Sequence, residues 1–190
     1  MNKKNNSNYL FSLLIIGVAF FVIGFGVGIN GIMVPILEGA FSLSKGMSYL
    51  GLTATFSAFL IFGRPAGWAI GKIGYKKSLV LALFIMAAGM LLFIPSAKLI
   101  PYMSGFYLFL TASFVGGIGN TLLQAAVNPY VTICGPIEKA AQRMCFMGIM
   151  NKSAWYLGPI FLSLFIDVKK PGLDHAYIPF GIAAGVIALL

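Results

Sequence analysis

NTLLQAAVNPYVTICGP, the stretch from Asn120 to Pro136, decides how the whole chain is interpreted. It closes an apolar run that begins near Pro101, and amide side chains recur there every fourth residue at Asn120, Gln124 and Asn128. Four residues advance a helix by about 40° beyond a full turn, so the three amides form one stripe. Hydrocarbon offers an amide no hydrogen-bond partner. The stripe therefore indicates bonds to a packed helix or the wall of a wet cavity, and three amides in line favour the cavity.

The composition places this stripe in a membrane. Hydrophobic residues make up 59% of the 190 residues, charged residues make up 9%, and the mean hydropathy is +0.95. A soluble domain carries about 25% charged residues. Thirteen basic residues against four acidic ones give a net charge of +9, but most bases flank apolar stretches, where membrane topology explains them better than nucleic-acid binding. The composition predicts an all-α integral membrane protein.

Six apolar stretches are candidates for membrane spans, since a spanning helix needs about 20 residues. After a basic N-terminal tail over residues 1–9, the predicted spans are 10–37, 47–70, 78–95, 102–130, 141–166 and 176–190. The first apolar run is too long for a cleavable signal peptide. The sixth is still apolar at Leu190, so we expect a truncated sixth helix and a chain that is part of a longer protein.

The distribution of basic residues predicts the orientation of the spans, because lysine and arginine accumulate on the cytoplasmic side. If the N-terminus is cytoplasmic, seven bases lie in inner segments, namely Lys3, Lys4, Lys72, Lys76, Lys77, Lys139 and Arg143. The outer loops then hold four, namely Lys45, Lys98, Lys169 and Lys170. We therefore predict a cytoplasmic N-terminus.

Glycine spacing predicts close helix contacts in the first two spans. Gly24 and Gly28 in span one are four residues apart, which lets two helix backbones touch. The end of span two and the following loop read GWAIGKIGYKK, with a motif formed by Gly67, Gly71, Lys72, Gly74, Lys76 and Lys77. This motif resembles the loop between helices two and three of the major facilitator superfamily. That family commonly has an acid at the position of Gly71, so a gating salt bridge from this position is not expected.

Two further motifs resemble one branch of that superfamily, the fucose and glucose/galactose permeases. The helix-four signature of the branch, Q-x-A-A-N-P-Y followed by G-P, is matched by Gln124, Asn128, Pro129, Tyr130, Gly135 and Pro136. A looser helix-five pattern is matched in RMCFMGIMNKSAWYLGP by Arg143, Asn151, Gly158 and Pro159. The segment NGIMVP, from Asn30 to Pro35, resembles the end of helix one in the fucose permeases.

The resemblance implies a major facilitator fold of twelve helices, of which this chain is the N-terminal six-helix half. It implies a secondary-active transporter that takes up a glucose- or galactose-type hexose, or fucose, by alternating access. Its partners would be the sugar, the lipid bilayer and the C-terminal half of the same protein, without nucleic acid or cofactor, and with a proton or sodium as coupling ion. We expect it in a bacterial inner membrane. The alternative is a polytopic sensory or structural membrane protein that binds sugar without moving it.

Neutral sugar hydroxyls pair well with amide side chains, and a sugar ring packs on an aromatic face. The predicted substrate-binding residues are therefore Asn30, Asn120, Gln124, Asn128, Asn151 and Trp155. No enzyme or metal site is predicted, because no nucleophile and base are paired, no metal-binding cluster occurs, and the one histidine, His175, falls in a predicted outer loop.

Lys152 is the candidate for ion coupling. The fucose permeases have acids at the positions of Gly31 and Gln124, and the four acids of this chain, Glu38, Glu138, Asp167 and Asp174, fall near span ends or in loops. Lys152 lies about midway through predicted span five, where a lysine costs about 2.5 to 3.5 kcal/mol on insertion scales. It is expected to act as a fixed cation paired with an acid elsewhere, or to bind and release a proton itself.

Overall fold

The computed structural model describes residues 3–99, 102–166 and 177–189. The described residues form helices and connecting turns without a strand. The helices are α1 (Lys3–Ala40), α2 (Lys45–Ser48), α3 (Leu50–Lys98), α4 (Met103–Ile133), α5 (Ala140–Ser163) and α6 (Tyr177–Leu189), with a short 3-10 helix (Ile137–Lys139) before α5. The predicted outer-loop positions Asp167, Lys169, Lys170, Asp174 and His175 lie outside the described residues.

Two boundaries differ from the sequence-based expectation. Helix α1 begins at Lys3, so most of the segment predicted as an N-terminal tail is helical. The spans expected at 47–70 and 78–95 both fall within α3, which consists of two helices that meet at a kink rather than across a longer loop. Lysines in the predicted loop have ordinary helix propensity, so the helical hydrogen bonds continue on both sides of a single kink.

Gly74 makes that kink. Its φ is +79° and its ψ is 166°, in a region that residues with a Cβ rarely adopt. It divides α3 into two arms, residues 50–73 and 75–98. Glycine at this point of the GWAIGKIGYKK motif therefore has a backbone role, and the lysines around it are exposed.

Three of the described helices are long and apolar enough to cross a membrane, over residues 12–40, 50–98 and 103–133, and the second of these ranges contains both arms of α3. A shorter apolar helix covers Ile178–Leu189. Helix α5 is long enough at 24 residues, but it is less apolar than these helices because it carries Gln142, Arg143, Asn151 and Lys152. A spanning helix with this many polar groups needs a polar face that is shielded from lipid.

Glycine residues let the backbones of neighbouring helices approach closely in this fold. Helix α3 packs along α4, where Gly117 and Gly119 leave no room for a Cβ, and α1 packs along α5. A Cβ added to Gly24 would overlap the backbone oxygen of Asn151, and one added to Gly28 would overlap that of Trp155. The predicted close approach at residues 24 and 28 is thus present between α1 and α5. These glycines bring the polar face of α5 against α1.

Candidate functional site

A cavity of about 840 Å³ lies between α1, α4 and α5. Its volume falls within the range of small-molecule sites, which is about 300 to 1,000 Å³. Helix α1 contributes apolar and glycine positions, α4 contributes amides, and α5 contributes most of the polar groups. The lining residues are Phe20, Ile23, Gly24, Val27, Phe56, Gln124, Asn128, Cys145, Gly148, Ile149, Asn151, Lys152, Ser153 and Trp155.

Two of the three stripe amides reach this cavity. Gln124 is half-buried and Asn128 is exposed, and both line the cavity from α4. The Gln124 side-chain nitrogen donates a hydrogen bond to the Asn120 side-chain oxygen over 3.4 Å. Asn120, one turn earlier, therefore orients the side-chain amide of Gln124. The side-chain oxygen of Gln124 remains available as an acceptor.

Helix α5 brings three predicted site residues to the same cavity. Asn151, Lys152 and Trp155 all line it, and the Lys152 ammonium nitrogen lies 4.4 Å from the centre of the Trp155 ring. A cation over an indole face is attracted by the ring quadrupole. Trp155 is 46% exposed, so part of its surface is available for a ligand. Lys152 is also exposed, and it forms no ion pair with any residue of the described ranges.

Asn151 has a structural role as well as a position in the cavity wall. Its side-chain nitrogen donates a hydrogen bond to the backbone oxygen of Phe20 over 3.0 Å, joining α5 to α1. This is the interhelical bond that a buried amide commonly makes in membranes. Because this bond uses the amino group, the side-chain oxygen of Asn151 remains available as an acceptor.

The other two predicted binding residues lie elsewhere. Asn30 and Asn120 line a separate pocket of about 10 Å³ between α1, α3 and α4. Asn120 is 3% exposed, and the Asn30 side-chain nitrogen bonds the backbone oxygen of Gly26 over 3.1 Å. Neither residue is part of the lining of the large cavity.

Several lining residues were not anticipated from the sequence. Phe56 of α3 adds a second exposed aromatic side chain, and Phe20, Cys145 and Ser153 line the cavity as well. Cys145 precedes Lys152 by seven residues, which is about two helical turns and places both on one face. That spacing was visible in the sequence, whereas the contribution of Phe56 has no sequence signal.

Arg143 has a structural role that its sequence position does not reveal. The charge distribution predicts a base in a cytoplasmic segment here, yet the side chain of Arg143 is only 6% exposed. Its guanidinium donates to the backbone oxygens of Val131 (3.1 Å), Thr132 (3.1 Å) and Pro136 (2.8 Å). These carbonyls belong to the C-terminal end of α4 and the turn after it, where helical carbonyls lack partners and a cation is favourable. Arg143 therefore holds α5 to the C-terminal end of α4 and to the turn after it.

The glycine and lysine motif lies away from the cavity. Lys72 is placed over the Trp68 ring, with 4.0 Å between its nitrogen and the ring centre. The rings of Tyr75 and Tyr130 lie 5.9 Å apart, so the kink of α3 contacts the end of α4. A Cβ added to Gly67 or Gly71 would meet nothing within 4 Å in the described chain. The close helix contact predicted for the glycines of span two is therefore not made at Gly67 or Gly71 by any of the described residues.

Comparison with known proteins gives one consistent family. Residues 16–190 match the profile of the Major Facilitator Superfamily. The chain is 38% identical over 196 residues to the glucose/galactose transporter of Brucella abortus biovar 1 (strain 9-941), covering 98% of this chain and 47% of the relative. It is 28% identical over 154 residues to the L-fucose-proton symporter of Escherichia coli (strain K12), covering 81% of this chain and 34% of the relative.

The fold matches a solved transporter of the same family. A crystal structure of the Major Facilitator Superfamily transporter FucP, in the outward conformation, superposes with a TM-score of 0.77 at 23% identity, covering 95% of this chain and 48% of that one. The chain spans about half the length of the relatives it matches. The expected all-helical half of a major facilitator fold and the expected branch are confirmed. The chain is an integral membrane protein and belongs to the Major Facilitator Superfamily.

Proposed function

We propose that this chain is the N-terminal half of a secondary-active transporter that takes up a glucose- or galactose-type hexose by alternating access. The observation that carries the proposal is the cavity in which Gln124 and Asn128 of α4 lie with Asn151, Lys152 and Trp155 of α5. It combines neutral donors and acceptors with an exposed indole face, which is the chemistry that a hexose requires. The names of the relatives, a glucose/galactose transporter and a fucose symporter, support the same class of substrate.

Each group in the cavity receives a role in this proposal. Gln124 and Asn128 pair with sugar hydroxyls, Trp155 packs against the ring, and the Asn151 oxygen accepts one further hydrogen bond. Phe56 provides a second apolar surface from α3. Asn30 and Asn120 act indirectly, because they line the small pocket and Asn120 bonds Gln124. The remaining wall of the sugar site comes from the C-terminal half of the protein.

Counterflow in vesicles tests the transport proposal. The complete protein is reconstituted, loaded with unlabelled sugar and exposed to labelled glucose, galactose or fucose. We expect exchange of glucose or galactose, and weaker exchange of fucose, because Gln124 stands where the fucose permeases carry an acid. Binding of these sugars without exchange would instead indicate the sensory or structural alternative. Absence of both binding and exchange would contradict the proposed substrate class.

Replacing Gln124 or Asn128 by alanine is expected to weaken sugar binding. Each change leaves a sugar hydroxyl unpaired, at a cost of about 1 to 3 kcal/mol. Affinity is measured by the protection that sugar gives the cavity residue Cys145 against a polar maleimide, in a Cys134→Ser background. Thr111→Ala is the control, because Thr111 is exposed on the same helix and, among the described residues, bonds only the backbone oxygen of Tyr107. Unchanged affinity in both cavity variants would remove these amides from the site.

We further propose that the N-terminus lies in the cytoplasm of a bacterial cell and that the protein resides in the inner membrane. The excess of basic residues in the predicted inner segments supports this orientation. Single cysteines at Lys72 and Lys45, both exposed, test it. A membrane-impermeant thiol reagent added to intact spheroplasts should label position 45 and not position 72. The reverse pattern would refute the orientation.

A further inference from the structure

The small pocket between α1, α3 and α4 is separate from the proposed sugar cavity. Its volume of about 10 Å³ is close to the lower limit for one water molecule. Polar residues from all three helices line it beside apolar side chains. The lining residues are Gly26, Asn30, Thr55, Met86, Met90, Phe93, Ala112, Ser113, Gly116 and Asn120.

Ser113 presents an unusual polar atom to this pocket. The side chain is 1% exposed, and its hydroxyl oxygen has no hydrogen-bond partner among the described residues. A buried polar atom left without a partner costs about 1 to 3 kcal/mol. The nearby hydroxyl of Thr55 donates to the backbone oxygens of Gly51 (3.2 Å) and Ser113 (3.4 Å), and not to the Ser113 hydroxyl.

Among the described residues, the side chains of Asn30 and Asn120 each keep one hydrogen-bonding group free, an acceptor in Asn30 and a donor in Asn120. The hydrogen bond of Asn30 to Gly26 uses its amino group, so its carbonyl oxygen is an acceptor. The bond that Asn120 receives from Gln124 uses its carbonyl oxygen, so its amino group is a donor. With the Ser113 hydroxyl, the pocket supplies at least one acceptor, one donor and one group that does both.

We propose that this pocket binds one ordered water molecule, which joins Asn30 of α1 to Ser113 and Asn120 of α4. A buried water typically makes about three hydrogen bonds to otherwise unpaired groups, and this pocket offers three. The volume excludes a sugar. A cation is disfavoured, because every polar side chain in the lining is neutral and Met86, Met90 and Phe93 form an apolar wall around it.

The water would also connect α1 to the sugar cavity. Asn120 accepts a hydrogen bond from the Gln124 side chain. A water that fixes the orientation of the Asn120 amide therefore also fixes the orientation of the Gln124 amide toward the sugar cavity. Asn120 is then a positioning residue. This consequence rests on the proposed function, whereas the water itself does not, so it is tested without sugar.

A matched pair of serine variants tests the water in the complete protein. Ser78 is also fully buried with an unpartnered hydroxyl, but it lines neither of the two cavities described here. If the water is present, Ser113→Ala removes one of its partners and lowers the Tm by about 2 °C or more relative to Ser78→Ala. If the pocket is dry, Ser113→Ala removes an unsatisfied group. The Tm of Ser113→Ala would then equal or exceed the Tm of Ser78→Ala. That result would overturn the proposal.

Two further measurements identify the occupant. High-resolution density should show a peak at hydrogen-bond distance, about 2.7 to 3.2 Å, from the Ser113 hydroxyl oxygen. The difference in Tm between sodium chloride and choline chloride should be the same in the parent protein and in Ser113→Ala. A sodium-specific rise in Tm that Ser113→Ala abolishes would overturn the water assignment in favour of a cation.

Discussion

Replacing Gly24 by alanine is expected to destabilise the protein by about 3 kcal/mol, near the upper end of the usual cost of overpacking. The added Cβ would overlap the backbone oxygen of Asn151, and a backbone atom cannot move aside by changing rotamer. Helices α1 and α5 must separate instead. The 3.0 Å bond from Asn151 to the Phe20 oxygen then lengthens, and the cavity wall between the two helices changes shape.

Gly31→Ala is the matched control for this prediction. Gly31 lies on the same helix, but a Cβ there meets none of the described residues within 4 Å. Alanine in a helix is favoured over glycine by up to about 1 kcal/mol, so this variant should be as stable as the parent or more stable. Thermal unfolding of the complete protein in detergent measures both. Equal stability of the two variants would show that α1 and α5 do not touch at Gly24.

Replacing Lys152 by methionine is expected to abolish concentrative uptake and to reduce counterflow much less. Counterflow needs a sugar site but no ion gradient. Lys152 lines the cavity without an ion pair in the described chain, and its ammonium group lies over the Trp155 ring. Under the proposed function, we expect an acid of the C-terminal half to pair with it during the transport cycle. Equal loss of both activities would point to a structural lysine, and full uptake would exclude it from coupling.

Lys152→Arg separates the two ways in which this residue could act. Arginine keeps the positive charge but does not release a proton in proteins. We expect a fixed cation, because the cavity leaves Lys152 exposed and Trp155 offers its ring face to the charge. The arginine variant should then retain a substantial part of concentrative uptake. Uptake as low as in the methionine variant, with counterflow intact, would indicate that Lys152 carries the proton itself.

The sequence by itself determined the class of protein and the kind of site. Apolar stretches and charge content predicted a helical membrane protein, and motif resemblance predicted the branch of the superfamily. The period of an α-helix predicted that Gln124 and Asn128 share a face, and both line the cavity. The sequence also predicted that one helix carries Asn151, Lys152 and Trp155 at neighbouring positions. All of these properties depend on residue types and on geometry within a single segment.

Only the tertiary structure decided how the polar groups are divided between sites. The stripe rotates by about 80° from Asn120 to Asn128, so one end can be buried while the other is exposed. Asn120 lies against α1 and α3 in the small pocket, while Asn128 reaches the cavity. Arg143 similarly binds three carbonyls of another segment. The period of an α-helix gives the relative angles of side chains on one helix. It does not give the position of the neighbouring helices and turns that bury these side chains or accept their hydrogen bonds.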